Sequence, residues 1–176
     1  MRFTRAGTLL TALFAGLGSL GATATPERVA PTWGGPQEAE VMAVVVDPQS
    51  RQPVVLLQGK RDRRSLALAI GQFEANGIAI PLQGVSPPRP LTHDLMLTLL
   101  TDLRASLRRI VITDLRDDVY YAQLHLDVQG SLLMVDSRPS DAIALALRAK
   151  VPILVEERVF DKADRLVPRS GATPHF

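Results

Sequence analysis

The chain contains no cysteine, which excludes disulfides, a thiolate nucleophile, Cys-ligated zinc and a bacterial lipoprotein anchor. Its histidines, His93, His125 and His175, show no His-x-x-x-His or comparable zinc spacing. It has no Gly-rich phosphate loop and no Gly-x-Ser-x-Gly elbow, so a serine peptidase or hydrolase finds little support. Internal repeats are missing as well. Net charge is also small: 20 Lys+Arg stand against 18 Asp+Glu. A nucleic-acid binder usually shows a clear basic excess or patch, and the global balance supplies none.

What is present begins with Arg2 and Arg5, an apolar run from Gly7 to Leu20, and the small-x-small step Ala22-Thr23-Ala24. This reads as a signal peptide over residues 1–24, too short for a comfortable transmembrane helix. Its removal would take two of the basic residues and no acid, leaving a neutral chain. The expected location is then periplasmic or secreted, with no stable membrane association after cleavage. Residues 25–38 read as a flexible Pro/Gly/Thr linker, 39–161 as one folded domain, and 162–176 as a disordered tail. A single domain of this size can bury a real core.

Residues 40–47 predict a strand buried on both faces, 53–58 a second strand and 65–70 a third. Residues 71–80 predict a short helix stopped by Pro81 and weakened by Asn76-Gly77, since Gly costs about 1 kcal/mol relative to Ala. Residues 92–106 predict a clearer helix, with Thr92 as its cap and Leu95, Leu99 and Leu103 facing the core. Residues 107–137 read as a three-strand meander. Within it, Tyr120, Ala122, Leu124, Leu126 and Val128 alternate with Tyr121, Gln123, His125 and Asp127, which places His125 on a solvated face. Ala142 to Leu147 has no polar side and predicts a buried helix; residues 153–155 form a last strand. The fold class is α+β: a single domain, largely antiparallel sheet and meander packed with two to three helices.

Arg138-Pro139-Ser140-Asp141-Ala142-Ile143-Ala144-Leu145-Ala146, with Pro88-Arg89-Pro90-Leu91-Thr92-His93-Asp94 upstream, resembles the bifunctional nuclease (BFN) domain family. Ile70-Gly71-Gln72-Phe73-Glu74-Ala75, Tyr120-Tyr121-Ala122 and Pro152-Ile153-Leu154-Val155 follow the same order. The resemblance spans roughly residues 40–160 and implies the family's fold and nuclease activity on DNA and RNA.

The polar corner at Asp136, Arg138 and Asp141 adjoins the buried helix, where charges can be held in fixed geometry. A metal-assisted phosphodiester hydrolase needs carboxylates for Mg or Mn, a proton acceptor and a cation for phosphate. The metal candidates are Glu74, Asp136 and Asp141, and the catalytic candidates His93, Asp94, Asp136 and Asp141. Arg89, Arg138 and Ser140 are the candidate substrate contacts, with nucleic acid as substrate. The bland alternative is a non-catalytic homodimeric or anion-binding module. In it Arg138 clamps a carboxylate such as Asp114, and Ser140 or Asp141 caps the helix, worth about 1 kcal/mol. Concave placement of Asp136, Arg138, Asp141 and His93 around one pocket favours the enzyme; burial of Arg138 against carboxylates with no open cavity favours the module. The run Lys60-Arg61-Asp62-Arg63-Arg64 could steer a polyanion, though a charged turn is the commoner explanation. Free strand edges point to a homo-oligomer.

Overall fold

The computed structural model describes residues 35–166; the segment expected to be a signal peptide, most of the expected linker and the end of the expected tail lie outside this range. Three strands come first: β1 (Gln37–Val46), β2 (Pro53–Gly59) and β3 (Ser65–Ala69). Helices α1 (Gln72–Leu82) and α2 (Thr92–Asp102) follow, then the meander β4 (Ala105–Arg116), β5 (Val119–Val128) and β6 (Ser131–Ser137). Helix α3 (Pro139–Ala149), β7 (Ile153–Val155) and α4 (Glu157–Leu166) complete the chain. The sheet order is β3-β2-β1-β7-β4-β5-β6. Two antiparallel meanders are thus joined through three-residue β7, antiparallel to β1 and parallel to β4. The α+β reading holds, with four helices rather than two to three among the described residues. Gln37 and Glu38 belong to β1 rather than the linker, and Lys162 to Leu166 extend α4 into the expected tail.

Irregularities in pairing at Val41/Ala43, Leu107/Arg109 and Ile112/Asp114 let the sheet bend. The consequence is visible at its ends. Leu68 and Ala69 of β3 line the same cavity as Val119 and Tyr120 of β5, although four strands lie between them, so the sheet curls around its helices. At the centre sits α3. Ala142, Ile143, Ala144, Leu145 and Ala146 are all buried, as expected for a helix apolar all round.

Turn chemistry sets the meander's register. Asp117 and Asp118 take φ of 48° and 62°, so both central residues of the β4–β5 hairpin adopt the left-handed region without a glycine. Asp tolerates that region better than most residues. Gln129 and Gly130, with φ of 53° and 88°, repeat the pattern between β5 and β6.

Several expectations change. β1 is not buried on both faces: Met42, Val45 and Val46 are exposed. Helix α2 stops at Asp102, and Leu95, Leu99 and Leu103 face outward; Leu97 and Leu100 are the residues packed against the core. Its N-cap is Leu91, with the Asp94 carboxylate accepting from the Leu91 N–H at 2.9 Å, so Thr92 is not the cap. Arg138 is the N-cap of α3 and makes no side-chain cap bond, so neither Ser140 nor Asp141 fills that place. His125 is only 8% exposed, not solvated, and its Nδ1 has no partner among the described residues. Pro81 lies inside α1 instead of ending it before the proline.

The basic run is the β2–β3 turn. Lys60 pairs with Glu38, Arg63 with Glu40, Arg61 with Glu157, and Arg64 with Asp62, Glu157 and Asp161. Its charges bind the turn to β1 and α4, which accounts for them without a polyanion.

Candidate functional site

The first turns of α1, α2 and α3 meet at one corner of the helical layer. Each brings a carboxylate: Glu74, Asp94 and Asp141. An acid in the first turn is favoured by the helix dipole, so sequence-local physics already explains why carboxylates gather there. Tertiary contacts then divide them into two groups.

The first group centres on Arg138. Its Nε and Nη2 donate to Asp141 Oδ2 and Oδ1 at 2.7 and 3.1 Å, and its Nη1 donates to Glu74 Oε1 at 2.8 Å. On the far side of Asp141, His93 Nε2 lies 3.3 Å from Oδ1. The result is a chain Glu74–Arg138–Asp141–His93 that spans all three helices. Burial raises the Asp141 carboxyl, but hydrogen bonds from Arg138 and His93 outweigh it and hold the group below the ordinary range. Glu74 is held low by its own backbone N–H and by Arg138. Arg138 is pushed up by Asp141 and Glu74. Gly71 makes the inward curl of Glu74 possible, because a Cβ there would collide with that carboxylate.

The second group holds the helices together. Arg148, 7% exposed, donates to Asp94 Oδ1 at 2.7 Å and to the carbonyls of Gly77 and Ala144 at 2.6 and 2.9 Å. The Gly77 carbonyl is free to accept because Pro81, four residues on, has no N–H to offer. Both oxygens of Asp94 are occupied, one by Arg148 and one by Leu91 N–H.

The corner opens on two cavities. One, of about 280 Å³, is lined by Gly71, Glu74, Tyr120, Arg138 and Ser140 among others. The other, of about 650 Å³, lies between α1 and α2 and is lined by Phe73, Glu74, Asn76, His93, Met96 and Asp141 among others. The Arg138 side chain remains 64% exposed at this junction. Phe73 is 88% exposed at the rim of the larger cavity. Sequence reasoning quoted Phe73 within a motif but gave it no role; an aromatic beside Glu74 on the outer side of a helix was the available signal.

Of the sequence candidates, Glu74, His93, Arg138 and Asp141 come together, and Ser140 lies buried beside them. Arg89 lines a separate cavity of about 350 Å³ with Asp94, Thr98 and Arg148. Asp136 is elsewhere. It pairs in register with Gln123, whereas Val135 pairs with Leu124, which faces the core, so Asp136 projects from the sheet face away from the helices. The set Glu74, Asp136 and Asp141 is therefore not assembled, and no group of three or more His, Asp or Glu suited to a metal occurs among the described residues. Asp114 does not meet Arg138 either. It binds Lys162 and Arg116 at 2.6 and 2.7 Å, which hold its carboxyl far below the ordinary range.

An α+β domain with an ion-paired corner where three helices begin, open to solvent on two sides, is the class that fold and geometry define. Residues 55–167 match the family model described as bifunctional nuclease domain, and the chain belongs to that family. It is 45% identical over 131 residues to an uncharacterised protein of Mycobacterium tuberculosis, covering 74% of this chain and 78% of the relative. It is 32% identical over 103 residues to bifunctional nuclease 1 of Oryza sativa subsp. japonica, covering 56% of this chain but only 31% of that protein. A bifunctional nuclease of Oryza minuta matches to the same extent.

Proposed function

We propose that the chain is an exported nuclease that hydrolyses DNA and RNA phosphodiesters at the Glu74–Arg138–Asp141–His93 corner. The observation that carries this reading is the exposure of Arg138, which lines the smaller cavity and is bonded to Glu74 and Asp141 of the larger one. A purely structural clamp would bury the guanidinium against its acids, whereas this one can exchange a carboxylate for phosphate through the same planar fork.

Glu74 and Asp141 converge on the Arg138 guanidinium, and with that side chain turned aside this pair would supply the one or two carboxylates that Mg²⁺ or Mn²⁺ takes together with waters and substrate phosphate. When bound, the ion would supply a water of lowered pKa and a positive charge beside the phosphoryl oxygens. The protein's own groups do the rest. His93 Nε2 donates to Asp141, which fixes the ring and leaves Nδ1 as the nitrogen that would take a proton. Arg138 would stabilise charge on the phosphate as it turns from Glu74. Phe73 and Met96 offer apolar surface at the larger cavity on which a base could stack, a contact worth about 1–3 kcal/mol per base. Ser140 and Tyr120 line the other opening.

The test uses single- and double-stranded DNA and RNA with Mg²⁺, Mn²⁺ or EDTA, and Asp141→Asn alongside the wild type. Metal-dependent cleavage lost in a folded Asp141→Asn protein is the expected result. Equal cleavage by both proteins, or none by the wild type, would overturn the assignment.

A further inference from the structure

The cavity of about 350 Å³ beside the start of α2 lies outside the Glu74–Arg138–Asp141–His93 corner, yet two arginines line it. Arg148 is one. Its side chain is only 7% exposed, and its Nε and Nη1 hold Asp94 and the carbonyls of Gly77 and Ala144. Nη2 donates to none of the described residues but keeps contact with solvent, so it opens on the cavity. The helix dipole explains a cation in the last turn of α3, and the clamp on the helices needs only Nε and Nη1. Neither accounts for a buried guanidinium whose remaining donors face an opening.

Arg89 is the other. It is exposed and makes no ion pair or hydrogen bond among the described residues. Pro87, Pro88 and Pro90 flank it, and their locked φ stiffens the loop that holds it at the rim. Ser86 adds a hydroxyl without a partner among the described residues, whereas Thr98 already donates to the Asp94 carbonyl at 3.1 Å. The one carboxylate of the lining, Asp94, has both oxygens engaged. Two guanidiniums against one carboxylate leave a single positive charge, the complement of a phosphodiester rather than of a dianionic phosphate monoester. Ile80, Val85 and the prolines supply apolar walls, the usual surroundings for a few polar groups that fix a ligand.

This cavity adjoins the larger cavity of the corner. Both are lined by Ile80 and Pro90, and consecutive residues of α2 divide between them: His93 faces the larger one and Asp94 this one. Resting on the reading of the chain as a nuclease, we propose that the cavity is a second phosphodiester subsite, which takes the strand's backbone next to the bond being cut. Arg148 Nη2 and Arg89 grip the phosphate oxygens, Ser86 donates to them, and the apolar walls receive the attached sugar. The subsite makes a polynucleotide a better ligand than a small phosphate ester, because only a chain fills both cavities at once.

Binding without cleavage tests it. The full chain in EDTA is titrated into a short fluorescent single-stranded oligonucleotide at several salt concentrations, and anisotropy is followed. Arg148 holds the helices together and is left in place. Arg89→Ala should weaken binding about tenfold at low salt. It should also reduce the slope of log affinity against log salt by about 0.7, the amount for one phosphate contact on a single strand. Arg89→Lys should restore the slope, while Arg165→Ala, which removes an equal charge from α4, should change neither quantity. Inorganic phosphate should displace the strand only at far higher concentration than unlabelled oligonucleotide. An unchanged slope in Arg89→Ala, an equal loss in Arg165→Ala, displacement by phosphate as readily as by oligonucleotide, or no binding by the wild type would overturn the subsite. Arg89-dependent binding by a chain that never cleaves would sustain the subsite and overturn the nuclease reading; cleavage by a chain whose binding ignores Arg89 would do the reverse.

Discussion

Gly77 sits in the interior of α1, where alanine would be about 1 kcal/mol better, yet its place at the corner explains it. A Cβ at this position would stand 3.0 Å from His93 Cε1 and 3.2 Å from Nδ1. Gly77→Ala should therefore leave the unfolding midpoint nearly unchanged, propensity offsetting strain, while displacing His93 from Asp141. Cleavage is expected to fall by on the order of tenfold, because small misplacements of a reacting group are expensive. Parallel melting curves and initial rates on the wild type and variant check both halves. His125 makes a different point. Period-two patterning assigns it correctly to the face shared with Tyr121 and Gln123, but alternation reports which face, not how deeply a side chain is covered there. Burial, and then Arg109, lowers its pKa below the ordinary value near 6.5. The unfolded chain thus takes up this proton at a higher pH than the folded chain. Stability should fall as pH drops below about 6.5 and level off once the folded-state pKa is passed. In His125→Leu that decline between pH 7 and 5 should flatten, as thermal melts across the range would reveal.

Among the elements, α2 and α3 show why one helix was legible and the other was misread. In α3 every residue from Ala142 to Leu147 is apolar, so any orientation is a buried one. Leu145→Ala should cost about 2–5 kcal/mol in urea unfolding, the usual range for such a truncation. Helix α2 has two apolar sides: Leu95, Leu99 and Leu103 on one, Leu97 and Leu100 on the other. Spacing alone cannot say which turns inward; the link of Asp94 to Arg148 and of His93 to Asp141 decides it. Long-range pairing was equally hidden. The corner's acidic and basic residue types could be read at Arg138 and Asp141, three positions apart, but Glu74 reaches Arg138 across 64 residues of chain. Nothing local distinguishes it from Asp114, the partner first considered. The meander, by contrast, was visible in its alternation and its turns, and the structure reproduces it from Ala105 to Ser137.

At the scale of the molecule, ion pairs fasten the outer elements to the sheet. Glu157 and Asp161 of α4 engage the β2–β3 turn, and Lys162 donates to Asp114 and to the Leu115 carbonyl of β4. Asp62, Asp94, Asp114 and Asp141 all have carboxyls held below their ordinary values. Their contribution is complete above the unfolded-state pKa near 3.9 and is lost as pH falls through the lower folded-state values. Lys162→Met removes the largest cause of the Asp114 shift. It should move the acid-unfolding midpoint to higher pH, with little change in cleavage near neutrality. The most direct measurement of the central claim is kcat on one oligonucleotide for wild type and His93→Gln, each with its melting temperature. The account predicts active wild-type protein and a loss of about 10²-fold or more in kcat for a variant that remains folded. An unchanged kcat in His93→Gln, or an inactive wild type, would contradict it.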